Sequence, residues 1–192
     1  MSFTKAVWPE FIEGAHHRVI AQKFNDLANK KINRLIINMP PRHTKSEFAS
    51  YLLPAWMVGR NPKLKIIQAT HTGELAVRFG RKAKTLIDSE DYSKIFETSL
   101  REDSQAAGRW ETAQGGEYFA AGVGGAITGR GADLLIIDDP HSEQDAMSDF
   151  KMAADLGSEV AKSVLVELNP YAAMCNKMLR DVFSKLEDGL EA

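Results

Sequence analysis

Lys45 and Ser46 end a polar stretch, Asn38-Met39-Pro40-Pro41-Arg42-His43-Thr44-Lys45-Ser46, that follows the apolar run Leu35-Ile36-Ile37. An apolar strand, a tight polar loop and then a helix is the order that a triphosphate requires. Backbone N–H groups at a helix N-terminus face the anion, a lysine neutralises the β and γ phosphates, and a hydroxyl ligates Mg²⁺. In the pattern G-x-x-x-x-G-K-[ST] the glycines would fall at Met39 and Thr44, and neither is glycine. On these residues alone, Lys45-Ser46 is also readable as an ordinary helix start.

A second stretch points the same way. Leu134-Leu135-Ile136-Ile137 ends in Asp138-Asp139-Pro140. A continuous apolar run of this kind suits a strand buried on both faces of a parallel sheet. Carboxylates at its C-terminal end sit where open α/β sheets bind ligands. In P-loop NTPases the first such carboxylate holds Mg²⁺ and its neighbour orients the attacking water. The bland alternative is a strand followed by an Asp-Asp-Pro turn.

With both stretches in view, the chain resembles the ATPase domain of tailed-phage terminase large subunits, whose P-loop is glycine-poor and carries an arginine. The likeness extends through Ala69-Thr70-His71-Thr72, Phe79-Gly80-Arg81-Lys82, Ala107-Gly108-Arg109-Trp110 and Gly124 to Asp133. It implies an α/β P-loop NTPase fold of the RecA/ASCE kind, a mostly parallel sheet with helices on both faces and a helical C-terminal tail. Residues 1–146 would form the ATPase domain. Residues 147–192 carry no likeness, and the family's nuclease domain has no counterpart here. The resemblance further implies ATP and Mg²⁺, double-stranded DNA, a portal protein, a small terminase subunit and a homo-oligomeric ring. The setting would be the cytoplasm of an infected bacterial host, with transient docking at the procapsid portal.

Composition is compatible with this and excludes other classes. The 192 residues are 44% apolar, enough for one sizeable core. A net charge of −2 leaves any nucleic-acid contact to local patches. The lone cysteine, Cys175, rules out an internal disulfide framework. No apolar run approaches the ~20 residues of a membrane span.

Several elements must position the candidate residues. Ala15 to Asn29 has helical spacing, with Val19, Ile20, Phe24 and Leu27 on one face. Gln22 on it is either an adenine-reading glutamine, as the resemblance suggests, or an exposed polar residue. His16 and His17 have no metal-ligating companions and read as surface or packing residues. Lys45 to Leu53 is expected to be helical, with Pro54 kinking or ending it. Arg34 to Met39, Leu64 to Ala69 and Asp133 to Ile137 are expected as central strands. Trp110 to Phe119 suggests a hairpin turning at Gly115-Gly116. Leu75, Phe79, Ala83 and Leu86 recur at helical spacing, leaving Arg78, Arg81 and Lys82 on other faces, either as a segment that contacts DNA or a neighbouring subunit, as the resemblance suggests, or as a solvated surface. Arg130, between two glycines, either reaches a phosphate on DNA or on an adjacent subunit's nucleotide or belongs to a plain flexible loop. Asp149 to Leu168 and Tyr171 to Leu190 read as helices.

The expected roles follow. Lys45 would neutralise phosphate charge and Ser46 and Asp138 would serve Mg²⁺. Asp139 would polarise the attacking water and Arg42 would sense the γ-phosphate, while Pro41, His43 and Thr44 would line the loop. Thr44 would be strained if its position needs positive φ. Two other functions stay open on the sequence: a nucleotide- or DNA-binding remnant without turnover, and another helicase-like P-loop ATPase.

Overall fold

The structure is a computed structural model describing residues 1–162 apart from Pro40, Pro41, Gln105, Ala126 and Ser142. Pro41, Cys175 and the helix expected over Tyr171 to Leu190 lie outside the described residues. The chain divides into two compact units, Met1–Pro140 and His141–Ala192. The second unit contains helix α6, Glu143–Asp155. A single helix through Leu168 was expected, but Gly157 follows α6 at φ 96, the left-handed geometry that ends helices.

The first unit is a mixed α/β fold. It runs α1 (Ser2–Val7), α2 (Ala15–Ala28), a π-wound segment (Glu47–Leu52), α3 (Leu53–Arg60), β1 (Lys65–Thr70) and α4 (Gly73–Ile87). It continues with α5 (Glu90–Ser93), β2 (Arg109–Glu111), β3 (Glu117–Gly122) and β4 (Leu134–Asp138). The four strands form one sheet in the order β2-β3-β1-β4. Central β1 pairs in parallel with both neighbours, Lys65 with Glu117 and Thr70 with Asp138 marking the two registers. β2 returns antiparallel to β3 through the expected turn, where Gly115 takes φ 92.

Periodicity explains the core. Ile66, Tyr118, Leu134 and Ile136 share one face of the sheet. They pack with Ile20 and Phe24 of α2, Phe48 and Leu52 of the π segment, Val58 of α3, and Ala83 and Leu86 of α4. Trp110 stacks on Tyr118 with ring centroids 4.7 Å apart, and its indole N–H donates to the Gly80 carbonyl of α4. Tyr92 of α5 is fully buried and donates to the Ala55 carbonyl at 2.9 Å.

Four expectations are corrected. The helix does not end at Pro54. The winding changes from π to α at this point, and α3 continues from Leu53 to Arg60, so the proline lies within a continuous helical run. Residues 34–39 are not a strand of this sheet. Leu35, Ile37 and Met39 pack on the core while Ile36 is 86% exposed, so the period-two pattern is present but no strand edge meets it. The helices described in this unit join a single core on one face, not two layers. β4 is an edge strand of the sheet, and on its opposite face Leu135 and Ile137 are 56% and 59% exposed. Val19 of α2, expected inside, is exposed, and His17 is buried in its stead.

Gly80 marks where α4 meets the sheet. A Cβ there would sit 2.6 Å from the Ala107 carbonyl oxygen and 2.7 Å from the Tyr118 ring. Alanine would gain about 1 kcal/mol in helix propensity, against about 1–3 kcal/mol for overpacking a filled core. The clash with backbone should win, so Gly80→Ala is expected to lower the urea midpoint.

Candidate functional site

The site forms where the start of the π-wound helix meets the carboxyl end of β4. Lys45 Nζ lies 2.5 Å from Asp139 Oδ1 and 3.3 Å from Asp138 Oδ1. Burial works against the lysine charge. The hydrogen bond to Asp139 and the charges of both carboxylates outweigh it and hold the ammonium above the ordinary lysine value. Asp138 is buried and also accepts a hydrogen bond of 2.7 Å from the buried Ser50 hydroxyl. Asp139, by contrast, is largely exposed. Its backbone carbonyl accepts from His71 N–H at 3.0 Å, which ties the ends of β1 and β4 together.

Backbone strain concentrates here. Among the described residues, four non-glycine residues have positive φ, and three belong to this site: Arg42 at 63°, Thr44 at 61° and Asp139 at 44°. Each such conformation costs on the order of 1–3 kcal/mol and persists only where its surroundings over-determine it. For the β-branched Thr44 the left-handed region is least natural.

At Thr44 the surroundings can be traced. Gly14 N–H donates to His17 Nδ1 at 2.8 Å, and His17 Nε2 lies 2.7 Å from Thr44 Oγ1. The threonine hydroxyl in turn donates to the His43 carbonyl at 2.6 Å. Because Nδ1 accepts from a backbone N–H, the ring proton belongs on Nε2 and the imidazole is neutral. Burial, with His16 and His43 nearby, holds the His17 pKa below its ordinary value, against a smaller opposing effect of Glu13.

The structure brings Lys45, Asp138 and Asp139 together and puts Arg42 and Thr44 in the adjoining loop. Ser46 is half-buried in the first turn, one turn before Ser50 on the helix. His43 is exposed, its ring 5.9 Å from that of His16. Arg42 is exposed and has no carboxylate partner among the described residues. Gln22 is exposed and its amide donates to Asp26 on the same helix, as an amphipathic surface residue does.

The four peripheral cations divide. Arg78 and Arg81 are exposed on α4. Lys82 is 2.7 Å from Glu47 and lies over the Tyr51 ring. Arg130 is not the free arm expected from its flanking glycines. It is 2.8 Å from Glu117 and its guanidinium stacks 3.9 Å from the centre of Phe119, because the loop folds back across the sheet.

Two residues of the site were missed. Ser50 had a signal, being a small polar residue within the apolar run Phe48 to Leu53. His17 occupies the third position of α2 and accepts the N-cap N–H, the place that Glu or Gln takes in a capping box. A concavity lined by Leu100, Arg101, Asp103 and Gly115 lies by the β2 edge, across the sheet from β4. None of the expected site residues lines it.

No family model matches this chain, and no solved structure matches it significantly. Among curated proteins it is similar to tetratricopeptide repeat protein 36 of several animals. The Xenopus tropicalis protein is 49% identical over 70 residues, 35% of this chain and 33% of the relative. That of Danio rerio is 51% identical over 63 residues, 33% of this chain and 32% of the relative. That of Bos taurus is 34% identical over 113 residues, 59% of this chain and 53% of the relative. The chain thus spans about half or less of these relatives.

These findings overturn the likeness to phage terminases and what was taken from it. The relatives are animal proteins named for a repeat, so packaging of phage DNA, the portal and small-subunit partners, the double-stranded DNA, the ring and the infected bacterial host are all withdrawn. The relatives speak equally little for a DNA-binding remnant or a helicase-like enzyme. The physical reason is that a lysine at a helix start facing an acid pair specifies local electrostatics only, and such an arrangement serves unrelated tasks. Among the described residues no helix is long and apolar enough to cross a membrane.

Ser50→Ala tests the geometry without reference to function. It leaves one oxygen of the buried Asp138 carboxylate without its donor, which should destabilise the fold by about 1–3 kcal/mol. A chemical-denaturation midpoint equal to wild type would mean that Ser50 does not support Asp138.

Proposed function

We propose that the Met1–Pro140 unit is a P-loop-type site that binds Mg·ATP at Arg42–Ser46 and hydrolyses it. The observation that carries this is Lys45 held between Asp138 and Asp139 at the end of a parallel strand. A lysine there is already in the position of a cation balancing two carboxylates. The arrival of a polyphosphate would draw the ammonium to the β and γ oxygens and release the carboxylates.

The donor set fits magnesium, which takes hard oxygen ligands such as carboxylate, hydroxyl and phosphate. Ser46 and Asp138 would hold the ion, Asp138 directly or through a water, with Ser50 fixing its other oxygen. When bound, Mg²⁺ would neutralise charge on the β and γ phosphates. Asp139, exposed and beside Lys45, would orient a water and accept its proton as the oxygen attacks the γ-phosphorus. The bond to the β,γ-bridging oxygen breaks, and its electron pair leaves with ADP. Arg42, exposed in the loop beside Lys45, would stabilise charge on the transferring phosphoryl group.

The relatives' name favours a second reading. Tetratricopeptide repeats are helix–turn–helix units of about 34 residues whose stacking builds extended binding surfaces. The observation in its favour is the likeness itself, over as much as 59% of the chain. The strands β1–β4 are not of that kind, so the two readings need not concern the same residues. A chain that neither binds nor cleaves Mg·ATP would leave this second reading standing alone.

Two variants test the first reading. Lys45→Ala should weaken Mg·ATP binding by more than about tenfold, some 1.4 kcal/mol, with an unchanged far-ultraviolet spectrum. Equal calorimetric affinity in wild type and variant would remove Lys45 from any nucleotide site. Asp139→Asn should keep that affinity and lose phosphate release by about 10²–10⁴-fold, the usual share of a general base. An Asp139→Asn protein that still releases phosphate at the wild-type rate would rule out its role with the water.

A further inference from the structure

We propose that His17 is a positioning residue of the phosphate loop. Its ring holds the Thr44 hydroxyl, and through it the left-handed turn from which the Lys45 helix departs. The functional consequence rests on the nucleotide reading above, while the geometry stands without it.

Thr44 carries two tasks at once. Its carbonyl accepts the Phe48 N–H at 3.0 Å and so opens the helix that bears Lys45 and Ser46. Its φ of 61° turns the chain so that the helix begins there. Glycine would adopt this angle at no steric cost, and threonine does not. Something must therefore hold it, and the hydroxyl is the only polar handle on the side chain. That oxygen is engaged in both senses, facing His17 Nε2 at 2.7 Å and donating to the His43 carbonyl.

The histidine is itself locked. Gly14 N–H can only donate, so it fixes His17 Nδ1 as the acceptor and leaves the proton on Nε2, where Thr44 needs it. The ring is clamped between Phe11, 4.7 Å away edge-on, and Phe48, 4.9 Å away and near-parallel. Phe48 belongs to the same helix that Thr44 opens. The N-terminal stretch, α2, the loop and the helix start are thus fastened at one imidazole. This arrangement substitutes for the glycine that the loop lacks at position 44.

The acid limit follows. Protonated His17 cannot accept from Gly14, so the folded protein disfavours the charged form while the unfolded chain does not. The groups facing the ring are Glu13 from the N-terminal stretch, His16 from its own helix and His43 from the loop. Glu13 is engaged by Lys5 and Arg18, which hold its carboxyl down at about 2, so it stays charged through the relevant range. The stability that His17 contributes is complete above its unfolded value of 6.5 and is lost as pH falls below it.

The test is a double-mutant cycle on the full chain. His17→Phe keeps the packing against Phe11 and Phe48 and removes both nitrogens, while Thr44→Gly removes the need for support. In the threonine background His17→Phe should raise KM for Mg·ATP by about tenfold, the size of one lost hydrogen bond, with kcat less affected. In the Thr44→Gly background it should change KM by less than about twofold. His17→Gln, whose amide can still donate to Thr44, should recover most of the loss. Equal effects of His17→Phe in both backgrounds, or none in either, would overturn the proposal.

Urea unfolding of the same four proteins supplies a readout independent of nucleotide. Coupling of His17 with Thr44 in stability, without nucleotide binding by any protein, would retire the ATP reading and keep the positioning role. Nucleotide binding without such coupling would do the reverse.

Discussion

The ammonium of Lys45 between two carboxylates is the interaction on which the first unit's functional end depends. It joins residues 94 positions apart, the opening of the π-wound helix and the end of β4. Its partners differ in kind. Asp138 is buried, so its charge must be matched within the protein, and Lys45 with Ser50 does so. Asp139 is exposed, and its contact with the lysine is screened by solvent and worth little to stability. The buried member therefore secures the structure, while the exposed member contributes little to it.

Strain and polarity at the loop are two parts of one arrangement. Three left-handed residues occur within the same small region, and none is glycine. Such a turn survives because its surroundings leave no cheaper alternative. Thr44 is bonded by its hydroxyl to His17 and by its carbonyl to the helix, and the Asp139 carbonyl is bonded to His71. The hydroxyl and carbonyl bonds of Thr44 and the carbonyl bond of Asp139 hold the left-handed turns in place.

The sheet shows the opposite economy. One face carries the helices and the whole of the main cluster, whereas the other exposes Leu135 and Ile137. Parallel strands are usually covered on both sides. Part of this second face is shielded by Arg130, which lies over Phe119 and pairs with Glu117. An arginine that sequence context places on a flexible arm is here a cover for apolar surface.

What the sequence determined by itself was local. The periodicity of Ala15 to Asn29 and of Leu75 to Leu86 placed α2 and α4, since one helical face must be apolar to be buried. The turn at Gly115-Gly116 placed β2 and β3 and the apolar runs at residues 64–69 and 134–137 placed β1 and β4, because backbone angle and side-chain alternation are written in neighbouring residues. That the Lys45 loop and the Asp138-Asp139 pair would meet was expected from two short motifs, although the run before Lys45 does not join the sheet and the contact of the lysine with both carboxylates was not foreseen. Tertiary structure decided the rest. Whether residues 34–39 join the sheet depends on a free strand edge, which no local pattern encodes. Which side of α2 is buried turned on the loop that His17 could bond, so a histidine displaced Val19 from the interior. Ser50 joined the site only because a distant carboxylate came within 2.7 Å. Arg130 became structural because Glu117 and Phe119 lie on the strand beneath it. Local sequence sets angles and faces, and only the folded chain sets which charges meet.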